Sequence, residues 1–151
     1  MATGSNNPVV AKKCGSAPKA ATSIAKFYNK VAGTSLVNAD GTGRGECVSL
    51  VSQYLLQVRG LRTNHWGHAI AYKSGGTAGN KLKAAGFEWH TDRDFRDGDI
   101  LVWGPYKNIV SSYGHVGVRY NGKTMQQNWW DQRYVTLNGF DARGFLGYWR
   151  K

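Results

Sequence analysis

The chain has 151 residues, 41% hydrophobic and 13% aromatic, with 20 Lys+Arg against 9 Asp+Glu and a formal charge of +11. That length suits one domain with a core that needs no disulfide stapling, and the composition excludes a disordered, collagen-like or low-complexity chain. No apolar run approaches the ~18 residues of a membrane-spanning helix, and the two cysteines do not make a disulfide scaffold.

Residues 1–20 read as a flexible basic lead-in, followed by a single domain over 21–151. Lys12, Lys13, Lys19, Lys26 and Lys30 all precede the first acidic residue, Asp40. Such a field attracts any polyanion, whether nucleic acid, anionic lipid or cell wall, and charge alone does not choose between them. Met1 to Ala20 shows no apolar segment of the secretory type. Thr22 or Ser23 is placed to cap a first helix, in which Ile24, Phe27, Tyr28 and Val31 follow the i, i+3, i+4, i+7 pattern before Gly33. A loop rich in Gly, Asn and Thr runs over 34–45. A second helix is expected from Cys47 to Arg59, with Val48, Val51, Leu55 and Val58 in one stripe, Leu50 and Tyr54 widening it, and Gly60 as terminator.

His65 to Ala71 and Asn80 to Ala85 are shorter helical candidates. From Phe87 onward the pattern changes to strands. Ile100 to Trp103 follows the turn signal Asp97-Gly98. Val116 to Tyr120 and Lys123 to Trp129 flank Asn121-Gly122, a strong hairpin signal. Tyr134 to Leu137 and Phe145 to Trp149 complete the set. Helices first and strands after predict an α+β fold.

Gly45-Glu46-Cys47 is the first place where chemistry concentrates. A thiol at a helix N-terminus meets the positive end of the macrodipole and the free N–H groups of the first turn, which suits a nucleophile. A buried structural cysteine is the alternative reading. The hairpin supplies a histidine. With Asn121-Gly122 as a two-residue turn, Tyr120 opposes Lys123, Gly117 faces Gln126 and His115 faces Asn128. A side-chain amide then sits where it can hold an imidazole in one tautomer.

These segments resemble a known family. Gly45-Glu46-Cys47-Val48-Ser49-Leu50-Val51, Asp97-Gly98-Asp99-Ile100-Leu101-Val102-Trp103, Gly114-His115-Val116-Gly117-Val118 and Gln126-Gln127-Asn128-Trp129 look like a CHAP domain. The name denotes the cysteine, histidine-dependent amidohydrolases/peptidases of bacteriophage lysins and bacterial wall hydrolases. The resemblance covers roughly residues 22–150. It implies a papain-like fold, N-terminal helices packed on an antiparallel sheet, with Cys47 as nucleophile and His115 as general base and acid. The third polar position falls on Asn128 first and Gln126 second. Many members have Glu-x-Asn where this chain has Gln126-Gln127-Asn128, and Gln where it has Glu46. A carboxylate beside a thiolate opposes its ionisation, so Glu46 is expected to point away or pair with a base such as Arg44.

The resemblance implies peptidoglycan hydrolysis, as N-acetylmuramoyl-L-alanine amidase or as endopeptidase on stem peptides or cross-bridges. The alternative is a non-catalytic wall-binding or virion structural module with the same fold. The expected partners are peptidoglycan and teichoic acids, with a monomeric chain, no nucleic acid and no membrane insertion. No nucleic-acid-binding signature accompanies the charge. The expected setting is the host cytoplasm before release to the wall, or a virion.

No cofactor and no metal are expected. The loop before Cys47 offers only Asn38 and Asp40 where some relatives bind calcium, and Ser49 stands at the following acidic position. Asp92, Asp94, Asp97 and Asp99 alternate with Arg93 and Arg96 and read as a salt-bridged turn. His65-Trp66-Gly67-His68 lacks the acidic or thiol neighbours of a metal pair and reads as surface or packing. Trp103, Trp129 and Trp149 are expected in the core. Tyr106, Tyr113 and Trp130 are candidates to flank a groove for sugar and stem peptide, with core or rim packing as the other reading.

Overall fold

A computed structural model describes residues 22–151. The expected lead-in over 1–20, with Cys14, lies outside the described residues. The order of elements is α+β as expected: helices α1 (Ile24–Val31), α2 (Cys47–Arg59) and α3 (Thr77–Ala84), then strands β1 (Glu88–His90), β2 (Ile100–Trp103), β3 (His115–Tyr120), β4 (Lys123–Gln126), β5 (Thr136–Asn138) and β6 (Phe145–Arg150).

Ser23 caps α1, its hydroxyl accepting the Lys26 N–H at 3.2 Å. Gly60, left-handed at φ 70°, ends α2. The expected stripe of α2 is rotated. Leu50, Val51, Tyr54 and Leu55 are fully buried, while Val48 and Val58 are only partly so. Tyr54 is buried with its hydroxyl donating to Gly98 O at 3.1 Å. The helix expected over His65 to Ala71 is instead a 3-10 turn at Ala69–Tyr72, and α3 starts at Thr77, before the expected Asn80.

The strands form one six-stranded sheet in the order β1-β6-β2-β3-β4-β5, every pairing antiparallel. Alternation sorts the two faces. Ile100, Val102, Val116, Val118 and Met125 pack with the helices, and Leu101, Trp103 and Tyr148 pack on the other side with Val110 and Trp129. The hairpin register is the expected one, with Tyr120 opposite Lys123 and Val118 opposite Met125. Strand β4 stops at Gln126, however, rather than at Trp129. Asn128, Trp130 and Asp131 adopt left-handed backbone with φ of 58°, 53° and 61°, so the count that set His115 opposite Asn128 breaks down.

The acidic run after β1 is not bridged by Arg93 and Arg96. Asp99 is held bidentately by Arg150 of β6 at 2.9 and 2.7 Å, and Asp92 accepts from the Tyr148 hydroxyl at 2.5 Å. Trp103 and Trp149 are buried in the core, their indole N–H groups donating to Asp141 O at 2.7 Å and Tyr72 O at 2.6 Å.

Candidate active site

Cys47 opens α2, with Glu46 in extended conformation as its cap residue. The helix packs across β3, so its first turn meets the start of the strand that carries His115. The Cys47 thiol is free and half-buried. The backbone N–H groups of Val116, Val48 and Cys47 itself pull the thiol toward its ionised form. Cys47 and His115 both line one cavity of about 600 Å³.

Burial decides the resting charge of the pair. It pushes the Cys47 thiol up to about 11, against the pull of the three N–H groups and with the Glu46 carboxylate adding to the rise. Burial also pushes His115 down to about 4, against the Gln126 hydrogen bond. Burial thus favours the neutral form of both groups and opposes the thiolate that the helix dipole favours.

His115 is held on all sides. Its Nε2 lies 2.8 Å from Gln126 Oε1. The amide orientation of Gln126 is set in turn by its Nε2, which donates to Asn138 Oδ1 at 3.0 Å, while Asn138 Oδ1 also accepts from Thr136 Oγ1 at 2.7 Å. Gln126 therefore presents its oxygen, His115 carries its proton on Nε2, and Nδ1 is left as the basic nitrogen. Trp103 and Trp129 pack against the ring, with centroids at 5.4 and 4.8 Å. Two glycines make room. At Gly114, φ +77°, a Cβ would sit 2.7 Å from Trp103 O and 2.9 Å from Ile70 N. At Gly117 it would sit 2.7 Å from Thr124 Cγ2 and 3.3 Å from the Gln126 Cβ. Gly117 thus lets the long Gln126 side chain cross the sheet face diagonally to His115.

The order expected for the orienting residue is thereby reversed. Asn128 lies beyond the end of β4, and its Nδ2 approaches Glu46 Oε1 at 3.5 Å instead of the imidazole. Glu46 is paired, but with Arg133 at 2.7 Å and not with Arg44, whose Nη1 donates to Ser35 O at 2.7 Å. Tyr113 and Trp130 are 60% and 61% exposed on the cavity rim, whereas Tyr106 lies outside the cavity, bridged to Val110.

Sequence reasoning missed Gln127 and Asn138. Gln127 is fully buried and clasps the approach to the nucleophile: Oε1 accepts Leu36 N–H at 2.8 Å, and Nε2 donates to Glu46 O at 2.8 Å and Leu36 O at 3.3 Å. The three consecutive amides 126–128 were the available signal. Asn138 gave none, since only the β4–β5 register brings it to Gln126. Among the described residues, no group of three or more His, Cys, Asp or Glu is arranged to hold a metal ion. Asp40 is engaged by Thr42 and by His65 Nε2 at 3.2 Å.

No curated protein matches the chain. Among solved structures the fold is similar to the crystal structure of Ly7917, at 23% identity and a TM-score of 0.55 over 80% of this chain and 57% of that one. It is likewise similar to the crystal structure of Ly7917 with the hydrolyzing product of MDP, at 21% identity and a TM-score of 0.52 over 76% and 55%. The chain thus spans just over half the length of these relatives. The CHAP domain family matches residues 37–128, more than half the chain and a span that encloses Cys47, His115, Gln126 and Asn128. With that match, and with thiol, imidazole and amide meeting at the end of the sheet, the chain belongs to the CHAP domain family.

Proposed function

We propose that the chain is a peptidoglycan hydrolase that cleaves an amide bond of the bacterial wall by Cys–His nucleophilic catalysis, as a lysin of the phage type. The observation that carries this reading is the junction of α2 and β3: a free thiol at the first residue of α2 lines one cavity with an imidazole whose Nε2 is hydrogen-bonded to Gln126.

In the first step His115 Nδ1 takes the Cys47 proton as the sulfur attacks the carbonyl carbon of the substrate amide. The amide groups around Cys47, unpaired with any helical carbonyl at the first turn, face the oxyanion that develops. The imidazolium then returns its proton to the leaving amine, the C–N bond breaks, and an acyl thioester remains. In the second step His115 takes a proton from water, hydroxide attacks the thioester, and the carboxylic acid leaves as the thiol is re-formed. A neutral resting pair fits this sequence, because the proton moves only as the C–S bond forms. Tyr113 and Trp130 supply an aromatic rim for the substrate, and the net positive chain is drawn to teichoic-acid-bearing wall.

The test is clearing of Gram-positive wall suspensions with release of new amine. Cys47→Ala and iodoacetamide treatment should each abolish it. Undiminished clearing by Cys47→Ala would sink the mechanism. Wall retention without amine release would point instead to a binding module.

A further inference from the structure

Gln126 brings an ambiguity that a carboxylate in its place would not. A carboxylate only accepts, so the His115 nitrogen that faces it must carry the proton. An amide accepts at one end and donates at the other, and the two ends exchange by a half-turn. With Oε1 toward His115 Nε2, the ring is protonated there and Nδ1 is free to take the Cys47 proton. With the amide nitrogen turned toward the ring instead, His115 Nε2 must accept, the proton sits on Nδ1, and the base is lost. The two ends of the amide are nearly equal in size, so shape does not choose between them.

The choice is made one strand further out. On the edge strand β5, Thr136 lies opposite Gln126 and half-buried Asn138 lies opposite Thr124. Asn138 Oδ1 accepts twice, from Thr136 Oγ1 at 2.7 Å and from Gln126 Nε2 at 3.0 Å. The first contact has the length of an O–H···O bond, which fits the hydroxyl as donor and the Asn138 oxygen as acceptor. An oxygen at that position draws Gln126 Nε2 toward Asn138, and so leaves Gln126 Oε1 for the ring. The reverse chain also closes. With Asn138 turned, its amide nitrogen donates to Thr136 Oγ1 and to the Gln126 side-chain oxygen. The Thr136 hydroxyl proton then passes to Gln126 O, 3.4 Å away, and the Gln126 amide nitrogen donates to the ring.

We propose that Asn138 is a positioning residue that selects the reactive tautomer of His115, and that the reversed chain of amides is a silent form of the site. This rests on the Cys–His reading above and deepens it. The place of the proton on the base is decided two side chains away, by the turn of an edge-strand amide.

The test reads the tautomer from the ring-nitrogen NMR signals of His115 at neutral pH, where burial keeps the ring uncharged. In the wild-type protein Nε2 should give the signal of a protonated nitrogen and Nδ1 that of a bare one. Asn138→Leu removes the selection, so the two signals should move toward each other. Wall cleavage should lose kcat several-fold at unchanged KM, because a share of the molecules holds its proton on the wrong nitrogen. Asn138→Asp, whose oxygens only accept, should keep the wild-type signals. Asn138→Leu combined with Gln126→Glu should leave the signals where Gln126→Glu alone puts them, since a carboxylate needs no selection. A merely structural role for Asn138 predicts equal effects in both backgrounds, and that result overturns the proposal. So does folded Asn138→Leu protein with the wild-type tautomer. Protein that shows the expected signals but releases no amine from any wall would sink the hydrolase reading and leave the selection standing, because the ring is read without turnover.

Discussion

His115 is a buried imidazole with an uncharged orienting partner. Where a glutamate would stabilise its cationic form, Gln126 offers only an amide oxygen, and burial holds the ring near a pKa of about 4. Gln126→Glu should therefore raise that value and move the acidic limb of Cys47 alkylation to higher pH, as measured by iodoacetamide inactivation across a pH series. Gln126→Ala should lower kcat by about 10- to 100-fold, and Asn128→Ala by less; the opposite order would return the orienting role to Asn128. The same burial sets a stability profile. Between the unfolded value of 6.5 and the folded value of about 4, the unfolded chain binds the proton that the folded chain refuses, so stability falls as pH drops through this window. For Cys47 the shift runs from 9.0 to about 11, and stability falls as pH rises through that window. Thermal melts should show a plateau between these limits. Replacing His115 with Gln should flatten the acid side, which amounts to roughly 3 kcal/mol when fully expressed.

Helix α2 and strand β3 carry the reacting groups on separate elements, with the orienting Gln126 at the end of β4, so activity depends on how firmly these ends are joined. Gln127 makes that join through both polar atoms of Leu36 and the Glu46 carbonyl. Gln127→Met keeps the volume but removes three hydrogen bonds and orphans buried backbone groups, at a cost of about 2–3 kcal/mol. Beyond a lower melting temperature, it should reduce kcat with little change in KM, since the thiol then drifts relative to Nδ1; unchanged kcat in the folded variant would make Gln127 a purely structural clasp. This region also marks the limit of what could be read from sequence. Helix ends at Ser23 and Gly60 and the turn at Asn121-Gly122 are local signals, and the structure follows them. The end of β4 is not local. Asn128 and Asp131 are residue types that tolerate left-handed backbone, but nothing in Trp130 announces it. The opposed-pair count that sets His115 against Asn128 fails for the same reason, since it assumes a strand that has already ended.

The sheet as a unit depends on its C-terminal strand. Arg150 of β6 reaches back to Asp99, which is buried, and Arg150→Met would leave that carboxylate without its cation. The expected loss is about 3 kcal/mol, or roughly 8–10 °C in Tm for a domain of this size, measured by calorimetry. Attraction between the +11 chain and an anionic wall is screened over about 10 Å at 0.1 M salt. Wall clearing should fall as salt is raised, while thiol alkylation of the free protein should not. Clearing that rises with salt would remove electrostatics from wall association.

The sheet order gives the chain a built-in delay. Strand β6 follows the other five in the chain yet lies between β1 and β2, so until Arg150 has emerged from the ribosome the sheet is interrupted next to the strand that supports His115. Nascent chains fold from the N-terminal side as they lengthen. A translating cell would thus hold a growing chain with nucleophile, imidazole and amide all made but not yet clamped. Products truncated before Phe145 should therefore be inert in the wall-clearing assay, a comparison that full-length and truncated chains make directly.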